Sequence, residues 1–325
     1  MIAVTGASGL VGGNLVRALL REGRPVRALV HHDRRALEGL EVETVSADLT
    51  DPASIEEALH GAEVVYHLAS TISISMGNWE ELERVNVGGT RNVIQACLKN
   101  NVRRLVYFGS IHAYRQSPFD QPLDEERPLL SGEHIPPYER SKALAEMEVR
   151  QAIGGGLDAV ILIPSAIAGP FDFKPSYFGQ ALQLLAGGRI PALVRGGYNW
   201  ADVRDVVDGA IRAEHKAPGG RRYILSGHWH SLRDVARVTA EVTGRNVTQF
   251  TVPVWLAEFA QPMMAKLAQI NGSQPLYTRP MLNALKSNRR ISHSRAAREL
   301  GYSPRPFEET IEDTLVWFAR QGGSV

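Results

Sequence analysis

Cysteine is nearly absent from this chain. Cys97 stands alone among 325 residues, which excludes an intrachain disulfide and suits a reducing compartment. A surplus of one charge is missing too. Thirty-six Lys and Arg residues face 35 Asp and Glu, and a net charge of +1 gives no footing for nucleic acid as the main partner. Long hydrophobic runs are absent: the most apolar late segment, residues 252–270, is interrupted by Glu258, Gln261, Pro262, Lys266 and Gln269. Those residues exclude a spanning helix and leave a helical lobe or, alternatively, a segment lying on a membrane surface. The opening MIAVTGASG enters strand-like residues at Ile2 without the basic and apolar regions of an export signal, so a cytoplasmic protein is expected. The histidines are scattered and no HxxxH or paired-cysteine spacing occurs, so no metal site is expected.

The first half of the chain alternates short β-branched runs with helical patterns. Strands are expected at 2–5, 26–30, 42–47, 63–69, 104–110 and 159–163, with helical stretches such as LVGGNLVRALLREG and WEELERVNVGGTRNVIQACLKNN between them. That alternation predicts parallel βαβ units, an α/β fold with a doubly wound parallel sheet covered on both faces. After Pro164 proline and glycine become frequent, and one further strand is expected at 223–227. Residues 1–164, with about 200–227 returning to the sheet, are read as a dinucleotide-binding Rossmann domain. Residues 165–199 and 228–325 are read as a smaller, mostly helical substrate lobe.

Residues 4–16 read VTGASGLVGGNLV, with Gly6, Gly9 and Gly12 between the first strand and the first helix. Glycines allow a tight turn and close backbone approach, and a helix N-terminus offers N–H groups and a positive dipole to a pyrophosphate. Ser8, Leu10 and Val11 complete this phosphate loop. The second strand runs into HHDRR, placing His31 at its end with Arg34 nearby. An acid at this place selects NAD, whereas a basic group accommodates a 2′-phosphate, so NADP(H) is favoured. The alternative leaves Asp33 on the ribose of NAD(H).

In the stretch PPYERSKALAEMEV, Tyr138 and Lys142 lie four residues apart and share a helical stripe with Ala145 and Val149. Glu139, Glu146 and Arg150 are expected on a water-facing stripe. A charge on an apolar line calls for a purpose. A free tyrosine titrates near pH 10, too high for a base at neutral pH, and an ammonium one turn away lowers that value. Ser110, ending the strand RRLVYFGS, can hold a substrate oxygen and donate to it as charge develops. A surface tyrosine beside a surface lysine is the plainer reading of this pair.

The spacing GxxGxxG, YxxxK and the serine at a strand end together resemble the extended short-chain dehydrogenase/reductase superfamily over nearly the whole chain. The resemblance implies Ser110, Tyr138, Lys142 and Asn86 as catalytic residues, with Asn86 supporting a proton path or helix geometry. It places Asp48 and Leu49 beside the adenine. Leu68, Ala69 and Ser70, with Pro164 and Ile167, are implied to line the cofactor site together with Tyr138 and Lys142. VILIPSAIAGPF resembles the dihydroflavonol 4-reductase type, whereas nucleotide-sugar epimerases often carry an asparagine there. His112, Ser165, Lys174 and Tyr177 join Ser110 and Tyr138 as expected substrate contacts, and Tyr114, Phe171, Phe173 and Phe178 supply further aromatic surface. Members of this kind often pair through this helix and the one before it. Ala143, Leu144 and Met147 on the helix's other side therefore predict a homodimer.

The leading expectation is reduction of a ketone or aldehyde to an alcohol by a nicotinamide-dependent oxidoreductase acting on a small-molecule carbonyl. A nucleotide-sugar epimerase or dehydratase, or a 3β-hydroxysteroid-type dehydrogenase, is the alternative within enzymes. A non-catalytic NADP(H)-sensing protein is the alternative outside them. Such proteins commonly lose the tyrosine or the lysine, and both are present here.

Overall fold

The computed structural model describes residues 1–72, 78–132, 134–270 and 277–322. The strands of the first half are β1 (Ile2–Thr5), β2 (Val26–Val30), β3 (Glu43–Ser46), β4 (Val64–His67), β5 (Arg104–Phe108) and β6 (Ala159–Pro164). Beyond them come β7 (Ala166–Ala168), β8 (Leu193–Val194), β9 (Gly197–Asp202), β10 (Arg222–Leu225), β11 (His228–Ser231) and β12 (Thr251–Val252). One sheet of seven parallel strands runs β10-β6-β5-β4-β1-β2-β3. The order reverses between β1 and β4, and at such a crossing the loops on either side diverge to leave a crevice at the carboxyl ends of the strands.

The helices are α1 (Leu10–Arg21), α2 (Pro52–Ala58), α3 (Trp79–Leu82), α4 (Gly89–Lys99), α5 (Pro137–Gly154), α6 (Tyr177–Ala186) and α7 (Val203–Lys216). They continue as α8 (Leu232–Thr243), α9 (Val254–Ile270), α10 (Arg279–Ala284), α11 (Ser294–Leu300) and α12 (Phe307–Arg320). Alternation along each strand sends Val4, Tyr66, Val106 and Leu162 into a core with α1 and α7, and Ala3, Val65, Leu105 and Ile161 into one with α2, α4 and α5. Every residue of β6 is buried, as its unbroken apolar run requires. Burying Val160, Ile161, Leu162 and Ile163 stabilises the fold by roughly 1.5–3 kcal/mol each.

Three features depart from the sequence reading. The helical path runs from Trp79 to Lys99 and is interrupted by a π-turn at Glu83–Gly88, which carries Asn86. After Pro164 the chain makes β7, β8, β9, β11 and β12 in addition to the one strand expected; β11-β9-β7 and β12-β8 form two small sheets. These strands are two to six residues long, and a run such as HWHS lacks the apolar alternation that announces a strand. Helix α11, expected in the lobe, packs on α7 and β10, with Ala296, Leu300 and Tyr302 in the core of the main sheet. The lobe has its own core of Leu182, Leu185, Trp200, Val235, Ile311 and Leu315.

Candidate active site

A cavity of about 1060 Å³ lies between the carboxyl edge of the main sheet and the lobe. The glycine loop forms one end. Gly6 sits at φ +68°, and a Cβ there would stand 2.7 Å from the amide nitrogen of Ala69. At Gly12 a Cβ would stand 2.1 Å from the carbonyl oxygen of Gly6, so only glycine permits this turn. The Gly9 amide donates to the Gly6 carbonyl at 3.0 Å, and α1 begins with no side-chain cap and no acid in its first turn. Its first N–H groups and its dipole therefore open into the cavity, a cradle that fits a pyrophosphate. Ser8, Leu10 and Val11 line this end, with Leu68, Ala69 and Ser70 from the loop after β4 and Pro164 and Ile167 after β6.

Ser110, Tyr138 and Lys142 meet in the same cavity. Ser110 follows β5, and its hydroxyl accepts from the His112 amide at 3.2 Å. The Tyr138 phenol is pushed up to about 12 by burial, an effect that the nearby Ser110 hydroxyl offsets in part and the Glu139 carboxylate reinforces. Lys142 is buried and donates to the Phe108 carbonyl at 3.1 Å, with its ammonium 5.6 Å from the centre of the Tyr107 ring. Burial lowers it to about 8, against the upward pull of Glu146. Burial thus outweighs the influences that would lower the phenol. At neutral pH the pair is a protonated phenol beside an ammonium.

Asn86 does not line the cavity. Its side chain accepts from the Thr71 amide at 2.7 Å and donates to the Thr71 carbonyl at 3.0 Å and to the Ser141 hydroxyl at 2.9 Å. Ser141 in turn donates to the Tyr138 carbonyl at 2.8 Å, so Asn86 fastens the start of α5 to the loop after β4. Beneath it, the Thr5 hydroxyl accepts from the amides of Leu68 and Ala69, both at 3.2 Å, which leaves its hydrogen for His67 Nδ1 at 2.8 Å. His67 then carries its proton on Nε2, faces Thr90 at 3.1 Å, and Thr90 donates to the Asn86 carbonyl at 2.7 Å. Burial lowers His67 to about 3, so it stays neutral and the network keeps one direction. None of Thr5, His67, Thr90 or Ser141 stood out in the sequence, because nothing local marks a polar residue that is paired across the sheet.

Glu146 and Arg150 correct the expected water-facing stripe. Glu146 is fully buried, bonded to the Tyr114 hydroxyl at 2.5 Å and to Arg150 at 2.6 Å. Positions 138, 142, 146 and 150 are successive steps of four, so they share a ridge, and α5 is clasped by the sheet and α4 together. His112, Ser165, Lys174 and Tyr177 line the cavity, and the Ser165 hydroxyl is buried with no hydrogen-bond partner among the described residues. Phe178 joins them. Tyr114 is engaged in the core instead, and Phe171 and Phe173 pack on Trp317 with the Arg17 guanidinium 4.9–5.0 Å from their rings.

His31, Arg34, Asp48 and Leu49 lie outside the cavity lining. His31 and Arg34 are exposed after β2, and Asp33 pairs with Arg35 at 2.6 Å. Asp33 is held at about 2, first by the Arg35 hydrogen bond and, among lesser influences, by the charge of Lys174. The Asp48 carboxylate accepts from the Thr50 amide and hydroxyl, and its charge feels His31, which places the two loops together. The Leu49 side chain packs on Gly89 of α4.

Sequence comparison finds the NAD dependent epimerase/dehydratase family over residues 2–225. The chain is 36% identical to sterol demethylase protein B of Methylococcus capsulatus, across 98% of each chain. It is 34% identical to a Synechocystis protein provisionally described as dihydroflavonol 4-reductase, across 98% of this chain and 94% of that one. Among solved structures, gox2253 superposes with a TM-score of 0.85 at 33% identity, across 100% and 99% of the two chains.

Proposed function

The chain belongs to the NAD-dependent epimerase/dehydratase family of extended short-chain dehydrogenases/reductases, and from that premise we propose that it reduces a ketone or aldehyde on a bulky apolar molecule. The observation that carries this reading is the meeting of Ser110, Tyr138 and Lys142 in one cavity with the uncapped end of α1. A bound nicotinamide supplies the hydride to the carbonyl carbon. The Ser110 hydroxyl holds the substrate oxygen and donates to it as negative charge develops. Tyr138, protonated at neutral pH, delivers its proton to that oxygen, which favours the reducing direction. Lys142 holds a positive charge beside the reaction and secures the strand end through Phe108. Asn86 positions α5 without touching the reacting atoms.

Substrate class follows from the cavity's far side. Phe178, Leu182, Leu185, Tyr198, Trp200 and Leu285 line it, and among the described residues no arginine does. A nucleotide-sugar diphosphate brings two negative charges that want such cations. An apolar ring system needs none, in keeping with relatives named for a sterol and a dihydroflavonol. For the cofactor we favour NADP(H): Asp33 is committed to Arg35, while His31, Arg34 and Lys174 are exposed and able to meet a 2′-phosphate. A homodimer through α4 and α5, whose outer faces expose Leu98 and Met147, and a cytoplasmic location complete the reading.

Spectrophotometric turnover of NADPH and NADH tests it against apolar cyclic ketones, aromatic aldehydes, β-keto acids and keto-sugars. Oxidation of NADPH by the apolar ketones is the expected result. Tightly retained NAD that survives purification, with turnover only on nucleotide sugars, would overturn it in favour of an epimerase.

A further inference from the structure

Exposed large apolar side chains are unevenly spread over this molecule. Five of them, Phe250, Trp255, Leu256, Phe259 and Met263, fall within fourteen residues at one edge of the lobe, and Phe259 is 83% exposed. Trp255, Phe259 and Met263 are successive steps of four on α9, so they form one outward ridge. The inward side of the same helix, Val254 and Ala257, packs with Leu282 and Leu285 of the α10 region. Leu285 also lines the cavity, and so does Leu193, whose amide donates to the Phe250 carbonyl at 2.9 Å. The exposed ridge is thus the outside of the wall whose inside is the apolar half of the cavity.

Three exposed arginines lie on the segments next to this ridge. Arg189, Arg195 and Arg245 are exposed and paired with no carboxylate among the described residues. Arg195 is tied to β12 by its amide, at 2.8 Å from the Val252 carbonyl, and Arg245 reaches the Ala186 carbonyl at 3.3 Å. The single acid of the segment, Glu258, is already occupied by Lys286 at 2.5 Å. An exposed tryptophan and two exposed phenylalanines, with arginines on the adjoining segments, match the chemistry of a bilayer interface, where the rings enter the headgroup boundary and the cations meet anionic lipid.

We propose that the outer ridge of α9 docks on an anionic bilayer surface and that the apolar cavity takes its substrate from there. The proposal draws only its second half from the redox reading, because docking needs no turnover. It assigns the substrate to the membrane-dissolved, lipid-like class.

Flotation with vesicles of phosphatidylcholine alone, and of phosphatidylcholine mixed with anionic phosphatidylglycerol to give a negative surface potential, tests it. The expected result is flotation with the anionic vesicles, weakened by salt. It should fall at least tenfold in Trp255→Ser/Phe259→Ser and lose its anionic preference in Arg189→Glu/Arg195→Glu. Both variants should keep the wild-type melting curve and NADPH affinity, which separates failed docking from failed folding or failed catalysis. The absence of flotation overturns the proposal. Equal flotation by the serine variant overturns it too, as does a wild-type dimer that this variant dissolves while vesicles are ignored.

Discussion

The Lys142 ammonium donates to the Phe108 carbonyl at 3.1 Å, two residues before Ser110, so the helix bearing Tyr138 is pinned to the strand end bearing the serine. The contact is made by a buried cation, and burial has a cost. Burial lowers Lys142 from its ordinary value to about 8. The folded chain therefore releases this proton more readily than the unfolded chain, and the charged lysine weakens the fold below pH 8. That penalty fades as pH rises from 8 toward the ordinary lysine value.

Lys142→Met should accordingly stabilise the free protein at pH 7, by about 1–3 kcal/mol after the lost Phe108 contact is counted, while turnover falls by roughly a thousandfold. Thermal melts at pH 7 and pH 10 read the sign: the advantage of the variant should shrink at the higher pH. A lower melting temperature than wild type at pH 7 would show that the ammonium supports the fold instead.

Tyr138→Phe removes the proton donor and keeps the ring. Turnover should drop by about 10³-fold or more, with NADPH affinity within a few-fold of wild type by fluorescence titration. Equal activity would remove Tyr138 from the mechanism.

Glu146 raises the Lys142 value from one turn away without touching the cavity. Glu146→Gln keeps hydrogen-bonding capacity toward Tyr114 and Arg150 and deletes the charge. Lys142 then loses its proton at lower pH, and the alkaline limb of kcat should move down by roughly half a pH unit or more. Activity at pH 6.5 should remain within a few-fold. An unchanged limb with a general loss of activity would mark Glu146 as purely structural.

Arg34→Ala/Lys174→Ala tests the cofactor reading. The ratio of kcat/KM for NADPH over NADH should fall about tenfold or more, mostly through KM for NADPH, because each lost cation weakens a charge-assisted contact. A ratio that rises would assign the loop after β2 to NAD.

How much of this was legible in the sequence varies by element. The strand at 2–5 and the run 159–163 were readable because each is buried on both faces and calls for a nearly unbroken apolar run, and 26–30 because only Arg27 interrupts its apolar residues. The glycine loop was readable because a Cβ at Gly12 has no space, and only one residue type meets that demand. Tyr138 and Lys142 were legible as a pair because they stand one helical turn apart, and Ser110 was singled out by its place at a strand end and by the family resemblance. Glu146 was misread, since a carboxylate on a helix says nothing about what packs over it. The polar chain from Thr5 through His67 and Thr90 to Asn86 joins residues up to 85 positions apart, beyond any local pattern.

The sequence by itself determined the phosphate turn, the alternation that makes a parallel sheet, and the chemical types that can move a proton, because each depends on residues adjacent along the chain. Tertiary structure alone decided the protonation of those groups and what the cavity admits. Both depend on desolvation and on side chains brought together from distant segments: the lysine is displaced by the walls around it, and the apolar chamber exists only where α6, β9 and α10 converge.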